Sequence, residues 1–181
     1  SSRSLAYPLG ATAKPTYQAP QGSIYVAPGE SLQAALDRSA GTGFWVIARA
    51  GVHILPSTLR LPSDITLAGE GLGTILQLDP NATDREAIKN AESDLRNITI
   101  RDLVIESALG LEPFANSRRS FNNIGRRGGI VFVSDSIDGM AHIKIQNVNI
   151  QNGVHHGLSI CGPSEIEILN CNFSENGATM V

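Results

Sequence analysis

Apolar and polar residues alternate through three stretches of this chain, and the stretches match one another slot for slot. His142-Ile-Lys-Ile-Gln-Asn-Val-Asn-Ile-Gln-Asn-Gly153 is followed by Glu165-Ile-Glu-Ile-Leu-Asn-Cys-Asn-Phe-Ser-Glu-Asn-Gly177. Ile143, Ile145, Asn147, Val148 and Ile150 return 23 residues later as Ile166, Ile168, Asn170, Cys171 and Phe173. Upstream, Ile98, Ile100, Asp102, Leu103 and Ile105 fill the same slots 45 residues earlier, close to two periods. Alternation of this kind predicts strands with one buried face.

A strand pattern returning at a fixed period in the twenties reads as a solenoid, because one such unit cannot bury its inward face without a neighbour of the same kind. Asn147 and Asn170 fall where the strand should bend, with Asp102 in the equivalent slot, and the spacing predicts an internal ladder of side-chain amides there. The period-2 alternation excludes helical repeats. Leucine-rich repeats would need Leu at fixed spacings and a helical back, both absent. The fold class predicted is therefore all-β, a parallel β-helix with an N-terminal capping α-helix.

That helix is expected over Glu30 to Ser39, with Leu32, Ala35 and Leu36 on one face, Ser31 as N-cap and Gly41 as the stop; its place is over the open first edge of the sheet. Strands are expected at 23–26, 44–49, 52–55, 58–61, 65–67, 74–78, 97–106 and 129–133. A helical turn is expected within Ala82 to Lys89. The glycines of Gly69-Glu-Gly-Leu-Gly73 could suggest a phosphate cradle, but no helix follows, so corners between strands are the better reading. Ser107 to Gly128 is too polar and Gly-rich for the core, and a loop this long is expected to carry function.

With 181 residues the chain can bury a core as one domain, and we divide it into a tail, 1–22, and a β-helix domain, 23–181. The tail is rich in Ser, Ala, Pro and Tyr without periodicity, like the start of a secreted protein whose signal has been removed; a secreted or periplasmic location is expected. The net charge of −3 gives no support to nucleic-acid binding, and no apolar run is long enough to span a membrane. Cys171 occupies the slot of Val148 and Leu103 and reads as a buried small hydrophobe, although a bridge to Cys161 is open on sequence. The chain ends at Val181, about where the next strand should begin. A β-helix stopped there would expose an unpaired edge. Either a second chain or another copy covers that end, or the chain is a piece of a longer β-helix.

The succession Ile-Tyr-Val-Ala-Pro-Gly-Glu-Ser-Leu-Gln-Ala-Ala-Leu, then Val-Ile-Ala-Arg-Ala-Gly-Val-His, then Leu-Pro-Ser-Asp-Ile-Thr-Leu-Ala-Gly-Glu-Gly-Leu-Gly-Thr-Ile-Leu resembles the N-terminal part of the pectin lyase-like, right-handed parallel β-helix superfamily, over residues 23 to 181. The superfamily contains polysaccharide lyases, glycoside hydrolases, epimerases and tailspikes. The resemblance implies an extracellular protein acting on a polysaccharide, an acidic one by preference. Gly129-Ile-Val-Phe and Gly157-Leu-Ser-Ile would lie on the sheet that lines the substrate groove.

A lyase of this kind removes the proton beside a uronate carboxylate, which needs a base and a cation to neutralise that carboxylate. The candidates are His155, His156, Arg126 and Arg127, with Arg118, Arg119, Asn122 and Asn123 as substrate-binding residues and Asp135 and Asp138 as calcium ligands. Each group also has a plain reading: two turn histidines, a solvated basic loop, an acidic turn. The alternatives are a glycoside hydrolase, for which Glu112, Glu175, Asp135 and Asp138 supply carboxylates, and a non-catalytic carbohydrate-binding or tailspike-like module. Neither the paired-aspartate motif of polygalacturonase-like hydrolases nor the Asp-Pro-His-Glu signature of mannuronan epimerases is present.

Overall fold

The structure is a computed structural model and describes residues 14–84, 86–106, 128–135, 141–152, 156–162 and 165–174. These residues form a predominantly β protein with one helix and two parallel sheets. In chain order the elements are β1 (Ile24–Val26), α1 (Leu32–Ser39), β2 (Val46–Ala48), β3 (Gly51–Leu55), β4 (Leu59–Leu61), β5 (Ile65–Gly69), β6 (Thr74–Leu78) and β7 (Glu86–Asn90). They continue as β8 (Arg96–Glu106), β9 (Gly128–Val133), β10 (Ala141–Gln151), β11 (Leu158–Cys161), β12 (Ile166–Leu169) and β13 (Asn172–Ser174). The first sheet runs β1-β2-β5-β8-β10-β12, with β3, β6 and β13 alongside, and the second runs β11-β9-β7-β4.

The matching slots read from sequence are the pairing register of the first sheet, but β8 and β10 are adjacent strands, so the 45 residues between their rows span one step of the sheet rather than two periods. Ile143 lies beside Ile98 on one side and Ile166 on the other, Ile145 beside Ile100 and Ile168, and Ile150 beside Ile105 and Phe173. Ile65 and Leu67 extend the same rows onto Ile98 and Ile100. Like therefore packs on like, and the interior rows are closed to water: Ile98, Ile100, Leu103, Ile105, Ile145, Val148 and Ile150 are fully buried. The 11-residue strands β8 and β10 bend midway, where Asp102 and Asn147 adopt left-handed backbone (φ 55° and 53°), as Asn170 does between β12 and β13 (φ 51°). Asn and Asp tolerate that conformation better than other side chains. The predicted ladder is present: Asn170 Nδ2 donates to Asn147 Oδ1 at 2.7 Å, and Asn147 Nδ2 to Asp102 Oδ1 at 3.1 Å.

Helix α1 starts two residues later than expected, since Glu30 instead accepts a hydrogen bond from the Ala27 amide. Ser31 caps it by accepting from the Ala34 amide at 3.1 Å, and Leu32, Ala35 and Leu36 are buried. Its exposed face performs a second task. Gln33 donates through Nε2 to the Arg60 carbonyl and accepts through Oε1 from the Arg60 amide at 2.8 Å. One side-chain amide thus occupies the outer hydrogen-bonding edge of β4, the terminal strand of the second sheet.

Three expectations are corrected. Residues 86–90 are strand, not helical turn, because Ala87 and Ile88 are buried and β7 pairs with both β4 and β9. The strand expected over 44–49 is only Val46–Ala48, and Phe44 is exposed. Part of the tail is also packed: Tyr17 Oη donates to the Gly69 carbonyl at 2.7 Å, and its ring lies 5.5 Å from that of Trp45. The outward row Ile47, Ala68 explains this. Both are fully buried yet stand apart from the interior cluster, so they are covered from outside.

Candidate functional site

The outer face of the second sheet is built by alternation. Leu59, Ile88, Ile130 and Leu158 form its inward row, so Arg60, Lys89, Val131 and Ser159 form a row on the opposite face. Arg60 and Lys89 are neighbours across one strand pair, about 4.8 Å apart at the backbone, and among the described residues neither enters an ion pair. Two neighbouring cations with no carboxylate partner among the described residues form a positive strip on a parallel sheet.

His156 precedes Gly157 and β11 at the edge of this sheet. Its carbonyl accepts from the Gly129 amide at 2.9 Å, which sets His156 beside Gly128. Glu86 pairs with Gly128 from the other side. Glu86 and His156 therefore flank a residue with no side chain. A Cβ at Gly128 would lie 2.6 Å from the His156 carbonyl oxygen, and one at Gly129 would meet the Gly157 carbonyl and Ile150 closer than 3.0 Å. The Gly-Gly pair is what lets the His156–Gly157 backbone approach.

Of the residues selected from sequence, His156 and Asp135 fall within the described part of the molecule; His155, Arg118, Arg119, Asn122, Asn123, Arg126, Arg127 and Asp138 lie outside it, as do Glu112 and Glu175. His156 is exposed. Asp135 is exposed and accepts from Ser93 Oγ at 3.0 Å, and among the described residues no three His, Cys, Asp or Glu side chains gather as metal ligands would. The two cysteines are free thiols rather than a bridge: Cys161 is exposed, and Cys171 packs against the core, where burial pushes its thiol pKa up. Arg60 and Lys89 escaped the sequence reading. Their signal was the single polar slot between apolar ones in Leu59-Arg60-Leu61 and Ile88-Lys89, meaningful only once β4 and β7 are known to be neighbours.

The first sheet carries a second polar surface. Asp64, Asn97, His142 and Glu165 form one outward row, and Thr66, Thr99, Lys144 and Glu167 the next. Together they line a cleft of about 470 Å3. Asn97 Nδ2 donates to Asp64 Oδ1 at 2.6 Å, Lys144 pairs with Glu167 at 3.2 Å, and His142 pairs with Glu165. Beyond it Arg101 lies over the rings of Tyr17 and Trp45 and bonds Asp102 at 2.6 Å.

Deeper in the same sheet, Glu106 is a buried carboxylate that accepts from both Gln151 and Asn152, the latter at 2.8 Å. These bonds compensate its desolvation.

No family model matches the chain, and no curated protein is significantly similar to it.

Proposed function

We propose that this chain is a right-handed parallel β-helix of the pectin lyase-like kind, secreted or periplasmic, which acts on an acidic polysaccharide by β-elimination. Support for the architecture comes from the rows of identical slots separated by 23 and 45 residues, and from the general right-handedness of parallel crossovers. Support for the chemistry rests on one observation: Arg60 and Lys89 are neighbouring cations with no ion-pair partner among the described residues, on the sheet whose β9 bonds the His156 backbone.

A uronate carboxylate seated on that positive strip would have its charge neutralised, which acidifies the C–H beside it. The imidazole of His156 takes that proton. The C–H electrons form the new C=C bond, and the glycosidic oxygen leaves with the bonding pair and collects a proton. Arg126 and Arg127, and beyond them Arg118, Arg119, Asn122 and Asn123, precede Gly128 in the chain and would add substrate contacts; Asp135 and Asp138 are proposed to take calcium where the substrate requires it.

The test is incubation with polyuronates and neutral glycans. Ultraviolet absorbance from an unsaturated uronate end supports elimination, and its loss in His156→Ala and Lys89→Ala supports the assignment. New reducing ends without that absorbance would make the protein a hydrolase. Binding without products would make it a carbohydrate-binding module.

We further propose that a second polypeptide, or another copy, covers the edge formed by β11, β12 and β13, beyond which no further strand pairs among the described residues. Ile166, Ile168 and Phe173 are 43–46% exposed, although they continue rows whose other members, Ile143, Ile145 and Ile150, are at most 1% exposed.

A further inference from the structure

We propose that the cleft on the outer face of the first sheet is a binding site for a neutral, hydroxyl-rich glycan segment, separate from the site of the proposed elimination. Three observations carry this. First, the lining side chains repeat along a line, one pair per strand, at the roughly 4.8 Å spacing of adjacent strands. A linear polymer laid across the strands therefore meets the same two kinds of position again and again. Secondly, the positions offer donors and acceptors together. The hydroxyls of Thr66 and Thr99 have no hydrogen-bond partner among the described residues, while the carboxylates and amide of the adjoining row are held in place by Asn97–Asp64 and His142–Glu165. Each sugar hydroxyl both donates and accepts, so it is the ligand group that such a mixed array satisfies.

Thirdly, the charge excludes the alternative. Asp64, Glu165 and Glu167 place three carboxylates in the cleft against one ammonium, Lys144, and one imidazole, His142. A polyuronate would meet net negative charge there and be repelled, whereas Arg60 and Lys89 on the second sheet have no carboxylate partner among the described residues. The cleft is lined by Asp, Thr, Asn, His, Ile, Lys and Glu side chains, without an aromatic sugar platform such as Tyr17 or Trp45, so recognition there is by hydrogen bonding rather than by stacking of sugars on aromatics.

The experiment is a titration of isotope-labelled full-length protein, followed by amide chemical shifts, with cellohexaose, mannohexaose, xylohexaose and hexagalacturonate. Expected are saturable shifts at Thr99 and Lys144 with at least one neutral hexasaccharide, weaker or absent with the acidic one. Thr66→Val with Thr99→Val should weaken that binding by at least about fivefold, the effect of losing a hydrogen bond, with an unchanged melting temperature. The same double variant should keep wild-type lyase activity on polyuronate, so failure of one site is read separately from failure of the other. No shift with any neutral sugar, stronger binding of hexagalacturonate at these amides, or undiminished binding by the double variant would each overturn the proposal.

Discussion

Asn170 hands its side-chain amide to Asn147 across 23 residues of sequence, and the two share the same left-handed backbone, φ 51° and 53°. The bend and the ladder are thus one device. The backbone turns outward at that slot because Asn tolerates the turn, and the turn aims each amide at the next.

Replacing Asn147 by Ala removes both ladder bonds and leaves a Cβ residue in left-handed backbone. The expected loss is roughly 2–3 kcal/mol, about half from the backbone and half from the bonds. Asn147→Gly should recover the backbone share. Urea unfolding of the three proteins measures this, and equal loss in both variants would show that the backbone share is negligible.

Gly129→Ala puts a methyl group against the Gly157 carbonyl and Ile150. Neither backbone nor a buried core side chain can yield cheaply, so β11 should be displaced from β9. We expect a loss of about 3 kcal/mol or more, together with lost amide protection in Leu158–Cys161 on hydrogen exchange. Protection equal to wild type would refute the close-approach account.

Tyr17 has its pKa pushed up to about 12, chiefly by burial and then by the negative charges of Asp102 and Glu70, with Arg101 opposing. Below pH about 10 both folded and unfolded chains hold the phenolic proton, and the contribution to stability is complete. Between about 10 and about 12 the unfolded chain releases it first, so stability falls as pH rises. Tyr17→Phe should flatten that alkaline fall while lowering stability near neutrality by about 1 kcal/mol, the bond to Gly69 being lost. Melting temperature against pH for the two proteins decides the matter.

The edge strands give a prediction about assembly. Ile168 is 46% exposed on the edge, so Ile168→Lys should cost the isolated chain little and abolish any association through this face. Light scattering after gel filtration would show a complex for the wild type and a monomer for the variant. A wild-type protein that stays monomeric at high concentration, with nothing co-purifying, would sink the covered-edge proposal.

The candidate site was less legible than the strands, for a physical reason. Strand rows are enforced by burial: moving Ile145 by one position would put it in water, so the pattern has to be written in the residues. Arg60 and Lys89 face solvent, where almost any polar residue is tolerated, and 29 positions separate them in the chain. Nothing in either local stretch says that the two charges meet. His156 could be named from sequence, but Gly128 and Glu86 beside it could not.

What the sequence determined by itself was the register of the first sheet through β8, β10, β12 and β13, the ladder at Asp102, Asn147 and Asn170, and the helix capped by Ser31. Each follows from a repeated pattern of slots or a local cap, and the slots recur because burial requires like residues to stack, although 45 residues separate the rows of β8 and β10 and 23 those of β10 and β12. The tertiary structure alone decided which outward residues become neighbours, that Gln33 closes the edge of β4, and that Tyr17 reaches the Gly69 carbonyl and the Trp45 ring. Those contacts join segments of unequal, unrepeated spacing, and chain distance carries no record of them.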